Sequence, residues 1–314
     1  MPIDASASAT RPPTPTHQRP IRHRVGRWVR ANVRGYLFLL PQFSVFFVFF
    51  LIPVIGAFAL AFFDYRPTRV SFVGLDNFRR VFSDPLMAIA LRNTVIFTVG
   101  VVIFWLGKAM LIAYLLDPLS KRLQTFYKSA FYLPSVTSGV IISLIWLWIF
   151  NPTFGLLNAA LRTFGIEGIA WLGNPNTALG ALIAMQVIMG GGSSIVLLSA
   201  ALARIPREMY EVAIIDGASR GIVFTQVIVP LIKPVLLYLV VTGTINTFQV
   251  FESIYVMTQG GPQFATITVV YRIYQTAFQQ FQIGLASAQA IVLFVLTFAL
   301  AAVQFRWLGR HVEY

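Results

Sequence analysis

Glu211-Val212-Ala213-Ile214-Ile215-Asp216-Gly217-Ala218, followed by Pro230 and Pro234, is a polar, turn-forming stretch set between two long apolar segments. Pro206 suits the first turn of a helix, where its missing N–H costs nothing. Residues 206–215 therefore read as a short helix with Met209, Val212 and Ala213 on one face, and with Glu208 and Glu211 at neighbouring positions. Gly217 permits a turn that a residue with a Cβ resists. A second helix is expected from Ser219 to Val229, with Pro230 and Pro234 punctuating the entry to the next apolar run. Such a hairpin on one face of a membrane-embedded chain is suited to touching a soluble partner.

The rest of the chain supplies the membrane. Of its 314 residues 57% are hydrophobic and 11% charged, against about a quarter charged in a soluble domain. Six apolar stretches, near 36–63, 91–116, 129–150, 177–203, 234–257 and 283–305, are long enough to cross a bilayer, which takes about 20 helical residues. Runs such as Val45 to Ile55 and Ile291 to Val303 do not alternate, which argues against a barrel. The expected fold is an all-α membrane protein of six transmembrane helices over residues 36–310. The first helix is expected to be kinked or tilted, since it contains Pro41 and Pro53.

The formal charge of +13 does not point to nucleic acid. Seven basic residues, from Arg11 to Arg34, sit in a tail (1–35) rich in Pro, Ser, Thr and Ala. That composition predicts disorder, with the basic end lying against anionic headgroups. With an even number of spans both termini share a side. The tail, residues 117–128, 204–233 and the C-terminal end carry more Lys and Arg than the other loops, so both termini are expected in the cytoplasm. There is no cysteine, and His17, His23 and His311 all lie in the tails, so no thiolate chemistry or histidine metal cluster is expected.

The pattern Glu-x-Ala-x-x-Asp-Gly-Ala, with a proline 19 residues after the glutamate, resembles the EAA motif of permease subunits of bacterial ATP-binding-cassette importers. In that family the motif forms a cytoplasmic coupling helix that docks in a cleft of the ATPase. The resemblance assigns Glu211, Ala213, Asp216, Gly217, Ala218 and Pro230 to that role; Val212, Val227 and Val229 depart from the usual residues conservatively. Phe72-Val73-Gly74-Leu75-Asp76-Asn77-Phe78 with Asn93-Thr94, Asn151-Pro152 through Asn158, and Thr258-Gln259-Gly260-Gly261-Pro262 are similar to the carbohydrate branch, the maltose-type and glycerol-3-phosphate-type importers. The resemblance implies a type I importer permease fold. It also implies a second permease subunit, two ATPase subunits, an extracytoplasmic solute-binding protein and a multi-pass location in the bacterial inner membrane.

No ATPase signature is present. Gly107-Lys108 fails as a P-loop, because Val102 stands where the first glycine belongs and Ala109 where Ser or Thr should hold Mg²⁺. ATP and Mg²⁺ are therefore expected on the partner ATPase, with no cofactor in this chain and no catalytic or metal residues.

Polar residues inside spans default to function. Span four carries Gln186 and then Gly190, Gly191, Gly192, Ser193 and Ser194. Such a stretch either lines a cavity or lets helices pack closely. Span five carries Asn246, Thr247, Gln249, Phe251 and Glu252; amides beside aromatics suit a sugar, and interhelical hydrogen bonds are the competing reading. The maltose-type resemblance puts Gly190, Ser193, Gly243, Thr247 and Val250 at sugar-contact positions. The substrate path is accordingly expected at Gly190, Gly191, Ser193, Asn246, Thr247, Gln249, Phe251 and Glu252. Lys108, nine residues before Asp117, reads as a snorkelling lysine.

The function expected is the permease subunit of a sugar importer. Glycerol-3-phosphate or a related polyol phosphate is the alternative, although no arginine sits in a span where a phosphate would want one. An ion-coupled secondary transporter would need intramembrane acids in both halves of a repeat, and Glu252 stands alone.

Overall fold

The computed structural model describes residue 35 and residues 37–67 and 69–309. The basic tail, with His17, His23 and His311, lies outside them. The order is α1 (Leu37–Leu60), β1 (Phe63–Arg66), β2 (Arg69–Phe72), α2 (Asp76–Ser83), α3 (Pro85–Leu116), α4 (Lys121–Tyr132) and α5 (Gly139–Ile149). Then come α6 (Leu156–Thr163), α7 (Pro175–Met189), α8 (Gly192–Leu202), α9 (Arg207–Ile215) and α10 (Arg220–Leu231). The chain closes with α11 (Lys233–Phe248), α12 (Glu252–Met257), α13 (Val269–Tyr274) and α14 (Ile283–Leu308).

Among the described residues, four helices are long and apolar enough to cross a membrane: α1, α3, α11 with α12, and α14. Two further spans result if each bent pair counts as one. Residues 121–136 meet α5 at 97°, and α7 meets α8 at 48°. The chain divides into two units at Gly56/Ala57. The described part of the first is most of α1, whose apolar window has mean hydropathy 2.6.

Prolines shape two helices in the same way. A π-helical stretch at Phe47–Leu51 ends two residues before Pro53, and another at Val223–Ile228 ends two residues before Pro230. Proline offers no N–H and its ring presses on the carbonyl four residues back, and a widened turn gives both relief.

In the second unit α3 is the central element, packed against α7, α8, α11 and α13. Its burial divides into two cores. One gathers Phe97, Val101, Leu182, Met185, Phe248 and Ile254, and the other Ala113, Ile195, Leu198, Ile228, Ile232 and Leu239. Trp105 packs against both.

One small element of the otherwise helical chain is a strand pair. β1 and β2 pair antiparallel with Phe63 opposite Phe72 and Tyr65 opposite Val70. Aromatic and β-branched residues in alternation favour a strand pair, and the Phe63 and Phe72 rings meet edge-on at 5.3 Å. Asn77 Nδ2 ties this hairpin to α2 by donating to the carbonyls of Ala61 and Phe63, both at 2.9 Å.

Candidate functional site: a coupling hairpin and a path between broken spans

The hairpin after α8 is closed by backbone geometry. α9 starts at Arg207, with Pro206 at its cap position. At the other end Ala218 N donates to Ala213 O (2.9 Å) and Gly217 N to Ile214 O (3.0 Å), while Gly217 takes φ +76°. These paired bonds form a Schellman closure, which calls for glycine at its left-handed position. The aspartate, glycine and alanine of the motif are thus the residues that stop the helix and reverse the chain.

The two faces of α9 divide differently from expectation. Ala213 is half-buried and packs with Tyr210 and Ala218 against the second core. Met209, Val212, Ile214 and Ile215 are exposed, Ile215 by 82%. Sequence reasoning grouped Met209, Val212 and Ala213 on one face; the inward row is instead Tyr210 and Ala213, three apart. Glu211 and Asp216 are exposed, as is Pro230. Burial raises the Tyr210 phenol above its ordinary pKa, with Asp117 and Tyr114 adding to the shift, so it stays neutral at physiological pH. Exposed apolar side chains thus lie beside the Glu211 and Asp216 carboxylates on this hairpin.

The second feature lies where spans four and five break. α7 stops at Met189, Gly191 takes φ +97°, and α8 starts at Gly192. α11 stops at Phe248 and α12 starts at Glu252. Each glycine of the triplet meets a distinct steric demand. A Cβ at Gly190 would stand 2.6 Å from Gln186 O, and one at Gly191 2.6 Å from Trp105 Nε1. A Cβ at Gly192 would overlap Phe131 O. A Cβ at Gly243, on α11, would also meet Trp105, at 2.6 Å. The two readings of these glycines both hold: Gly190 lines a cavity, and Gly191 and Gly192 admit close neighbours.

Breaking a helix in a bilayer frees carbonyls that no water can satisfy. Lys108 satisfies them. Its Nζ donates to Val187 O, to Ile188 O (2.9 Å) and to Gly190 O (2.7 Å). A cation at a helix C-terminus also meets the negative end of the helix dipole. The snorkelling expectation is therefore corrected: the side chain crosses to α7 because three acceptors there bind it better than a distant surface.

Two cavities flank the break. One, of 470 Å³, is lined by Ser135, Thr137, Gln186, Asn246, Gln249 and Glu252, among others. The other, of 600 Å³, is lined by Trp105, Ser193, Tyr238, Thr242 and Asn246, among others. Asn246 borders both. Gly190, Val250 and Phe251 line the first cavity, and Ser193 the second. Thr247 is buried and donates back to Gly243 O (2.8 Å), and Gly191 lies beneath Trp105, so neither borders a cavity. Phe251 stacks on Tyr255 at 5.3 Å and meets the rings of Tyr271 and Tyr274 at a tilt. Sequence reasoning missed the contribution of Ser135, Thr137 and Ser143. Its signal was present in Pro134-Ser135-Val136-Thr137-Ser138-Gly139, a turn-forming run inside an apolar stretch. Nothing in the sequence marked Trp105.

Comparison with known proteins agrees with this architecture. A family model described as binding-protein-dependent transport system inner membrane component matches residues 109–314. The chain is 34% identical to the probable ABC transporter permease YurN of Bacillus subtilis (strain 168), over 87% of this chain and 94% of that one. It is 34% identical to the sn-glycerol-3-phosphate transport system permease UgpA of Brucella abortus biovar 1 (strain 9-941), over 90% and 97%. It is 30% identical to the arabinooligosaccharides permease AraP of Bacillus subtilis (strain 168), over 87% and 88%. In fold it matches a chain of a bacterial ABC transporter that imports the acidic polysaccharide alginate. That match has TM-score 0.81 at 23% identity and covers 92% of this chain and 100% of that one. A hairpin closed by its own motif, spans broken around a polar cavity and these matches together place the chain in the binding-protein-dependent inner-membrane permease family of ABC transporters.

Proposed function

We propose that this chain is one of two permease subunits of a bacterial sugar importer, itself not an enzyme, and that it forms half of the translocation path. ATP and Mg²⁺ belong to two separate ATPase subunits, and a solute-binding protein delivers the sugar. Both termini face the cytoplasm, as the distribution of Lys and Arg favours, and the 207–218 hairpin meets the ATPase there through Glu211, Asp216 and the exposed apolar row. The substrate passes Gly190, Asn246, Gln249 and Glu252, then Ser193 beyond the break, with Gly191 and Thr247 supporting the path from behind.

The observation that carries this reading is the pairing of breaks. Two neighbouring spans interrupt their helices beside one cavity lined by amides and hydroxyls, the groups that replace water around sugar hydroxyls. A polyol phosphate is the second reading, supported by the similarity to UgpA.

Reconstitution tests the proposal. The chain is purified with its partner permease, ATPase and binding protein and placed in liposomes. Uptake that needs ATP, the binding protein and Glu211 is expected. Uptake driven by an ion gradient without ATP would overturn it.

A further inference from the structure

Of the two cavities that flank the breaks, the one of 600 Å³ lies on the hairpin side, between α8 and α11 with Trp105 of α3 in its wall. Tyr238, Thr242, Asn246 and Gln249 follow one another along α11 at spacings of four, four and three, which sets them on one helix face. Tyr238, Asn246 and Gln249 are exposed and Thr242 is half-buried, whereas Leu239, Gly243, Thr247 and Phe248 between them are buried. The stripe is about 16 Å long at 1.5 Å per residue. Gln249 lines the first cavity, Tyr238 and Thr242 the second, and Asn246 both, so one row of side chains joins the two. Ser193, across from that row on α8, adds an exposed hydroxyl. A groove shaped for lipid gains nothing from hydroxyls and an amide. Polar side chains inside a span face a bundle interior or a water-filled cavity.

We propose that this second cavity is a further saccharide subsite, in which the Tyr238 ring lies against the apolar face of a sugar ring while Ser193, Thr242 and Asn246 bond its hydroxyls. The proposal rests on reading both cavities as path, with the partner permease supplying the opposite wall. Tyr238 is 59% exposed, so its ring is free to make that contact. Thr242 Oγ1 donates back to Tyr238 O (2.6 Å), which leaves its lone pairs to accept from a sugar hydroxyl. The Asn246 amide both donates and accepts, and from its place between the cavities it serves a sugar on either side of the breaks. Trp105 backs the cavity. Its indole fits so closely on the two broken spans that a Cβ at Gly191 or at Gly243 would stand 2.6 Å from it. A sugar that leaves the first cavity thus meets new partners before it has lost all the old ones.

Cysteine substitution in the full transporter tests this, since the chain has no cysteine of its own. Uptake of a labelled panel (neutral mono-, di- and trisaccharides, and glycerol-3-phosphate) is first compared between the gene deletion and its complemented strain. The saccharide whose uptake is lost becomes the probe. Loss of glycerol-3-phosphate alone overturns the saccharide assignment and leaves the permease reading intact, whereas loss of none contradicts the permease reading itself. In the reconstituted complex, saturating probe should slow the labelling of Tyr238→Cys and Thr242→Cys by a small thiol reagent several-fold, and a sugar that is not taken up should not. Protection of Gln249→Cys with none at either of those two positions would confine the sugar to the first cavity and overturn the proposal. Tyr238→Ala should lower the maximal uptake rate per complex about fivefold, which is about 1 kcal/mol of lost ring contact. KM should change little, because entry precedes this cavity, and Tyr238→Phe, which keeps the ring, should recover most of the rate. Reduced assembly with a normal rate per complex would make Tyr238 an anchor at the membrane interface and overturn the subsite.

Discussion

Lys108 illustrates how a single side chain makes an irregular backbone tolerable in a membrane. The bonds to Ile188 O and Gly190 O, 2.9 and 2.7 Å long, replace contacts that a continuous helix would have supplied. Lys108→Met should lower the melting temperature of the solubilised complex. Charge-assisted hydrogen bonds contribute about 1.5–3 kcal/mol each, so an unchanged melting curve would mean the carbonyls find other partners. Asn158 has an analogous role in a loop. It is fully buried, Nδ2 donates to the carbonyls of Asn151, Pro152 and Ile169, and Oδ1 accepts from Ile169 N and Trp171 Nε1. Asn158→Ala should cost about 3 kcal/mol, since several buried groups lose their partner at once, and expression in the membrane measures it. Asn93 likewise donates to Phe264 O and Ile267 O, and Thr94 Oγ1 accepts from Val269 N. Asn77, Asn93, Thr94 and Asn158 stood out in the sequence as family-like positions. Their loop-tying function was not legible there, because each bonds to carbonyls or N–H groups set by tertiary packing.

At the scale of elements, what the sequence announced well was punctuation. Gly217, Pro206 and Pro230 located the hairpin through local backbone freedom, and the lengths of the apolar runs located the spans. The 97° bend between residues 121–136 and α5 went unread because the run from Phe131 to Phe150 is apolar enough to pass as one span. Side-chain chemistry on the hairpin gives a direct prediction. Glu211→Lys should leave the amount of assembled permease unchanged, because Glu211 is exposed and touches no core, yet abolish ATP-driven uptake. Uptake at the wild-type rate would remove Glu211 from the coupling surface. Gly191→Ala should act through the fold instead. Its φ of +97° and the Trp105 ring 2.6 Å from the added Cβ make the change costly, on the order of 1–3 kcal/mol from the backbone strain alone. The expected outcome is less folded complex, with the residual activity per complex near normal.

For the whole molecule, a polar cavity lies at the broken spans and an exposed apolar row on the α9 hairpin, with Trp105 of α3 packed against both cores. Asn246 and Gln249 are exposed on the cavity wall, and no side-chain hydrogen bond to another helix holds either of them among the described residues. Asn246→Ala and Gln249→Ala should therefore raise the apparent KM with little change in assembled complex. Lower assembly at constant KM would return them to a packing role. Orientation can be read with the same chain, since it has no cysteine. A cysteine at Ser219 should react only from the cytoplasmic side and one at Gln263 only from outside. The central claim is that the exposed row on α9 is where the ATPase docks. The measurement that tests it most directly is cross-linking from Ile215→Cys in native membranes, because Ile215 is the most exposed of that row. The account predicts a covalent adduct between this chain and the ATPase subunit that is lost when the ATPase is stripped away. Labelling of Ile215→Cys in intact cells by a membrane-impermeant thiol reagent, with no ATPase adduct, would contradict it.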